Sequence, residues 1–334
     1  MNPVIQTPDI VAKAYARTRQ YTHNTPLLYS ETLNKMLGSN VYFKMDAMQK
    51  TGSFKLRGVL NHLLELAENN QMPSKIVAYS TGNHALAMSH AAKLFGIHAR
   101  VYLPQNVSPI KKRIAKYYGA EVMEVETRVE AEELARHDGE NGFHYLHPSD
   151  NDQTIAGAGT MCYEALQEMR ERNISMPDAI FGSCGGGGLL AGTYLAKELL
   201  SPSSKVIGAE PELANDAYQS LQIGTIKRFE ESPITIADGL RALSVSPRTL
   251  NYLKKLDGFY TYPEEAIYYW SAWLIQTMKV TCEPAAAISM AAAADWLAKN
   301  GFQKTVLVLV SGGNVDPSFY LDLFNRDYLE KLPG

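Results

Sequence analysis

A chain of 334 residues, 46% hydrophobic and 20% charged, has enough apolar surface for a well-packed core and enough length for two domains. Its formal net charge of −3 exerts no global pull toward nucleic acid or an anionic membrane, which leaves small polar metabolites as the default partners. Cys162, Cys184 and Cys282 lack metal-ligand or disulfide-framework spacing, and no run approaches ~18 consecutive apolar residues, so a soluble, unprocessed protein of the reducing cytoplasm is expected.

In chain order, Ile10, Val11, Ala14 and Tyr15 recur at helical spacing within residues 7–22, and His23-Asn24-Thr25-Pro26 ends the pattern. Residues 41–43 read as a strand leading to Gln49-Lys50-Thr51-Gly52-Ser53-Phe54-Lys55-Leu56-Arg57-Gly58. Beyond Ser53 the spacing of Val59, Leu60, Leu63 and Leu64 predicts a helix with Lys55 near its first turn. A strand over 75–79 precedes Ser80-Thr81-Gly82-Asn83-His84 and an alanine-rich helix through Lys93. A strand over 99–103, a helix through Tyr118 and a strand over 121–126 follow. After His147-Pro148 come a helix over 156–169, a strand over 178–181, and a Gly-rich turn ending in Leu189 that opens another helix. Strands over 205–210 and 305–310 complete the series, the last running into Ser311-Gly312-Gly313-Asn314. Strand and helix alternate without hairpin turns, which predicts a parallel α/β architecture. A small domain of residues 50–147 is expected to be inserted into a larger one formed by 1–49 and 148–334.

Four stretches carry chemistry. Lys55, flanked by Phe54 and Leu56, sits where desolvation can depress its pKa and free it as an amine nucleophile or base. The plainer alternative makes Lys55 and Arg57 snorkelling cations beside a helix start. Gly185-Gly186-Gly187-Gly188, between a strand and a helix, can enclose a phosphate with bare N–H groups; as a mere tight turn, four glycines are entropically costly. A rival reading exists, because Gly186-x-Gly188-x-x-Ala191 with Glu210 also satisfies a dinucleotide fingerprint and would make a nicotinamide enzyme. That reading leaves Lys55, Asn83 and the Ser311 loop without roles. Ser80 to His84 can receive a carboxylate, with Asn83 bonding a phenolic oxygen, or can simply cap a helix through Ser80 or Thr81. Ser311 offers a neutral hydroxyl at the carboxyl edge of the sheet, or is one more turn residue.

Together these stretches resemble the fold-type II pyridoxal-phosphate enzymes, and closely the serine racemase and serine/threonine dehydratase group. Besides the lysine, glycine and serine stretches, the matching text is Thr25-Pro26-Leu27, Glu210-Pro211, Asp238-Gly239 and Glu283-Pro284, all in the family's order. The resemblance implies two open, mostly parallel twisted sheets flanked by helices. It implies that Lys55 forms the Schiff base with pyridoxal 5'-phosphate, that Phe54 packs near the ring, and that Asn83 bonds the ring hydroxyl. It also implies that Gly185, Gly186, Gly187 and Gly188 hold the phosphate and that Ser311 meets the pyridine nitrogen. Ser80, Thr81, Gly82, Asn83 and His84 would bind substrate, joined by Arg128 as a substrate-facing arginine of the small domain. Glu210, Asp216 and the carbonyl of Ala214 correspond to a divalent-cation site, whose oxygen ligands suit magnesium, calcium or manganese; a solvated acidic loop is the alternative.

The chain departs from the racemases of this group at Thr81, Ala242 and Ala285, where they carry other small or hydroxyl residues. The implied activity is dehydration of a β-hydroxy amino acid (serine, threonine or 3-hydroxyaspartate) to a 2-oxo acid and ammonia, with Lys55 as base. The alternative is a serine or aspartate racemase in which Thr81 returns a proton from the opposite face. A non-catalytic sensor of the cofactor or of an amino acid is a third possibility. The resemblance also implies a homodimer.

Overall fold

Strand and helix alternate along the chain as expected, and the strands sort into two sheets. The computed structural model describes residues 6–80, 82–105 and 107–333. Their strands are β1 (Leu27–Tyr29), β2 (Asn40–Met45), β3 (Lys75–Tyr79), β4 (His98–Pro104), β5 (Glu121–Val125), β6 (His144–Tyr145), β7 (Ala179–Ser183), β8 (Lys205–Pro211), β9 (Gly258–Tyr262) and β10 (Thr305–Val310). The six-stranded sheet has the order β1-β2-β10-β7-β8-β9 and the four-stranded sheet β5-β4-β3-β6. Every pairing is parallel except that of β1 with β2.

The central strands are covered on both faces, which is why β10 reads Thr-Val-Leu-Val-Leu-Val without alternation and is buried along its whole length. One face of this sheet packs Phe43, Phe181 and Val308 against Trp273 and Trp296, and the other packs Ile180 and Leu307 against Ile155 and Met161. The four-stranded sheet has its own core, in which Ile76, Val101 and Leu103 meet Leu56, Leu60 and Met88. Among the described residues no helix is long and apolar enough to cross a membrane.

The strands with strong apolar runs lie within two residues of their expected places, whereas β1, β6 and β9 were not anticipated. With three and two residues, β1 and β6 are too short to show a period, and β9 is an edge strand rich in aromatics. The first helix also stops at Thr18, short of the expected limit.

Parallel pairing brings the carboxyl ends of β2, β7 and β10 to one edge, with Met45 beside Val310. An antiparallel bridge between Ser53 and Gly312 then ties the lysine stretch to the loop after β10. This is the edge at which open α/β sheets bind ligands.

Candidate active site

The loops leaving β2, β3, β7 and β10 line one cavity of about 250 Å³, which Phe54, Lys55, Ser80, Asn83, His84, Arg128, Gly185, Gly186, Gly187, Gly188 and Ser311 all reach. Residues spread over the chain are thus gathered at one place. Thr81 lies outside the described residues.

Lys55 opens the Lys55–Glu68 helix, and its Nζ donates to the Pro148 carbonyl at 3.1 Å and lies 5.0 Å from the Phe54 ring centroid. Desolvation, and then the positive charge of Arg128, bring its pKa down to about 8, against an opposing pull from Glu283. An amine so placed has a far larger neutral fraction near physiological pH than an ordinary lysine, as a nucleophile or base requires.

Arg57 is no snorkelling cation. It is fully buried and donates to Asp46 at 2.6 and 2.9 Å and to Glu164 at 3.0 and 3.2 Å. Lys44 joins Glu164 at 2.6 Å, and Thr25 Oγ1 donates to Asp46 at 2.7 Å. Although burial alone would lower the Arg57 pKa, Asp46 and Glu164 hold it above its ordinary value. Two cations and two anions thus compensate one another beneath the turn that presents Lys55, satisfying the demand that buried charge be paired.

Gly187 has φ +81°, and the Gly188–Leu200 helix starts directly after it without a side-chain cap. A Cβ on Gly187 would come within 2.8 Å of Thr249 Cβ, and one on Gly188 within 3.1 Å of Ser149 Cβ. The turn therefore needs glycine, and its bare N–H groups at a helix start form an anion cradle. On the nicotinamide reading Glu210 would receive a ribose hydroxyl. Instead it is fully buried and accepts from the N–H groups of Ala217 and Tyr218 at 3.3 and 2.9 Å, so it is turned away from that role.

Ser80 Oγ accepts from Gly82 N at 2.9 Å and Ala85 N at 3.1 Å, so it caps the Asn83–Phe95 helix while lining the cavity. Asn83 Nδ2 donates to both oxygens of Glu283 at 2.9 Å, and its Oδ1 accepts from Asn314 at 3.0 Å. Burial pushes the Glu283 carboxyl up to about 7, with Lys111 pulling the other way. His84 meets the Leu146 carbonyl at 2.9 Å through Nε2, leaving Nδ1 buried without a partner. Burial lowers its pKa to about 3. Ser311 is buried, and its carbonyl accepts from Phe54 N at 2.9 Å.

Reasoning from sequence missed several cavity residues: Glu132, Arg136, His147, Asp150 and Arg228 also line it. Of the other charged residues of the lining, Glu283 stood in a quoted motif; Asp238, in another, lies outside the lining. Asp238 forms an ion pair with Lys111 at 2.6 Å, tying the helix after β4 to the six-stranded side.

Away from the cavity, Glu210 and Asp216 are fully buried, and neither oxygen of Asp216 has a hydrogen-bond partner. Burial, and then Asp216, push the Glu210 carboxyl well up; burial takes Asp216 up to about 7. Ala214 ends the short Glu212–Ala214 turn between them. Among the described residues no cluster of three His, Cys, Asp or Glu side chains could hold a metal, so a cation here would rest on two carboxylates and main-chain oxygen. The unpartnered carboxylate oxygens fit such a hard cation.

Residues 18–312 match the pyridoxal-phosphate dependent enzyme family. The chain is 34% identical over 326 residues to L-threo-3-hydroxyaspartate ammonia-lyase of Saccharomyces cerevisiae, covering 96% of this chain and 97% of that protein. It is 35% identical to serine racemase of Dictyostelium discoideum, covering 94% and 97%. Among solved structures, the T.th. threonine deaminase superposes with a TM-score of 0.86 at 39% identity, over 93% of this chain and 99% of that one.

Proposed function

The chain belongs to the pyridoxal-phosphate dependent enzyme family, and from that premise we propose that it deaminates β-hydroxy amino acids to 2-oxo acids and ammonia. The observation that carries this reading is that a lysine of lowered pKa shares one cavity with a glycine cradle at a helix start.

When bound, the family's cofactor supplies an electron sink for the carbon bearing the amino group. Lys55 would hold the cofactor through its amine, and the same amine would remove the Cα proton as base. The N–H groups of Gly185 to Gly188 hold the phosphate. Phe54, Asn83 and Ser311 line the same cavity; Phe54 would pack beside the ring, Asn83 would hold its hydroxyl, and Ser311 would offer its nitrogen a neutral hydroxyl. The turn from Ser80 to His84 receives the substrate's α-carboxylate, and Arg128 faces the substrate from the Arg128–Glu140 helix.

Glu210, Asp216 and the Ala214 carbonyl hold a structural or activating divalent cation, a reading supported by the unpartnered oxygens of Asp216. Residues 50–147 form the small domain, and the protein acts as a cytoplasmic homodimer. Racemisation is the second reading, supported by the likeness to serine racemase, with Thr81 as the opposite-face proton donor.

The test is a substrate panel of L-serine, L-threonine and threo-3-hydroxyaspartate, followed for oxo acid, ammonia and D-serine. Oxo acid with stoichiometric ammonia is expected. D-serine formed without pyruvate reverses the order of the two readings, and no turnover of any member overturns both.

A further inference from the structure

Glu132, Arg136 and Arg228 line the cavity mouth without a part in the chemistry above. Arg128 and Glu132 lie four residues apart on the Arg128–Glu140 helix, a spacing that sets a guanidinium beside a carboxylate and favours their ion pair. That pair does not form. Glu132 is buried; its Oε1 accepts from Arg136 at 2.8 Å, and its Oε2 accepts from Arg228 at 3.0 Å. Arg228 follows the Asp216–Ile223 helix, so its contact crosses from the six-stranded side to the four-stranded side. Arg128 lies instead with its guanidinium 5.3 Å from the Tyr79 ring centroid, its Nε buried without a hydrogen-bond partner. It has no carboxylate at ion-pair distance among the described residues.

We propose that Arg136 and Arg228 are positioning residues that occupy both oxygens of Glu132, keeping Arg128 free for a carboxylate on the substrate's β-carbon and selecting dicarboxylic β-hydroxy amino acids. A partly buried guanidinium without an anion is unfavourable, and serine or threonine would leave it so. On the reading above the α-carboxylate goes to the start of the Asn83–Phe95 helix, which leaves Arg128 for a second carboxylate. This assignment rests on the lyase reading for the hydroxyl, and on the pocket alone for the second acid group.

The experiment uses the holoenzyme. Arg228→Gln frees one oxygen of Glu132 to turn to Arg128. The ratio of kcat/KM for threo-3-hydroxyaspartate over L-serine is then expected to fall by about tenfold or more. Calorimetry with succinate and butanoate as unreactive probes is expected to show the same loss of dicarboxylate preference. Adding Glu132→Gln to Arg228→Gln removes the competing carboxylate and restores both ratios, a rescue that a merely structural contact would not produce. No succinate preference in the starting enzyme, unchanged ratios in Arg228→Gln, or a double variant no better than the single one each overturns the proposal. Succinate preference with rescue, but no turnover of any hydroxy amino acid, upholds the positioning role and sinks the lyase reading.

Discussion

Arg57 and Asp46 form a two-nitrogen, two-oxygen ion pair at 2.6 and 2.9 Å with neither side chain exposed, two residues beyond the lysine that reaches the cavity. The pair couples the first turn of the Lys55–Glu68 helix to the end of β2, and so fixes where Lys55 emerges. Removing Arg57 alone strips Asp46 of its counter-ion and leaves Lys44 as the one cation for two buried anions. Arg57→Met is expected to lower stability by ~3–5 kcal/mol in denaturant titrations, and a loss within the range of ordinary surface substitutions would contradict the buried network.

Lys55 is expected to carry the cofactor alone. Borohydride reduction of the holoprotein should label position 55, and Lys55→Ala should lose both the label and the visible absorption band, with turnover falling by at least ~10²–10⁴-fold. Label at another lysine would refute the assignment.

The lowered pKa of Lys55 has a kinetic signature in the apoprotein. Only the neutral amine attacks an aldehyde, so the rate of cofactor uptake should rise with pH, bend near pH 8 and level off above it. An ordinary lysine would keep gaining reactive amine toward pH ~10.4. Stopped-flow absorbance across this range decides between them, and a rate still climbing at the upper end would show that Lys55 is not desolvated.

Gly187→Ala should weaken cofactor binding while leaving the fold intact. An alanine at φ +81° carries about 1–3 kcal/mol of backbone strain, and its Cβ would press on Thr249. Equilibrium dialysis is expected to show roughly tenfold weaker retention of the cofactor, whereas unchanged retention would remove the glycine turn from the phosphate site.

Asp216 predicts a response to cations. Magnesium, calcium or manganese should raise the melting temperature of the intact protein, chelation should reverse it, and Asp216→Asn should abolish it, because two unpartnered carboxylate oxygens lose their charge. Equal shifts in the parent and the variant would place the cation elsewhere.

Buried histidines weaken the fold in acid. Burial lowers His62 to about 4, with His144 adding to it at 3.2 Å, and burial also lowers His147 to about 4. Between each folded value and the ordinary 6.5 the unfolded chain binds more protons, so stability is full above that window and is lost as pH falls through it. Glu283 and Asp216, raised to about 7, act in the opposite sense over the same range, so the check is a difference. Between pH 6.5 and 4 the melting temperature of His62→Gln should fall less, or rise more, than that of the parent, and an identical pH dependence would show that His62 does not contribute.

Local pattern alone was enough for the strand and helix alternation, the lysine after Ser53, and the glycine turn, because period, apolar run and backbone freedom are properties of neighbouring residues. The expected cofactor and substrate residues within the described parts, Gly82 excepted, reach one cavity because parallel strands put their following loops at one edge, while Glu210, Ala214 and Asp216 lie apart from it. Only the tertiary structure decided that Arg57 is a buried network member, that Asn83 is held by Glu283, and that Glu132 takes Arg228 where helical spacing alone offered Arg128. Those partners stand 107, 200 and 96 residues apart. Whether a charge is paired depends on what folding brings to its side and on how far water is excluded there, and neither is written in the residues adjacent to it.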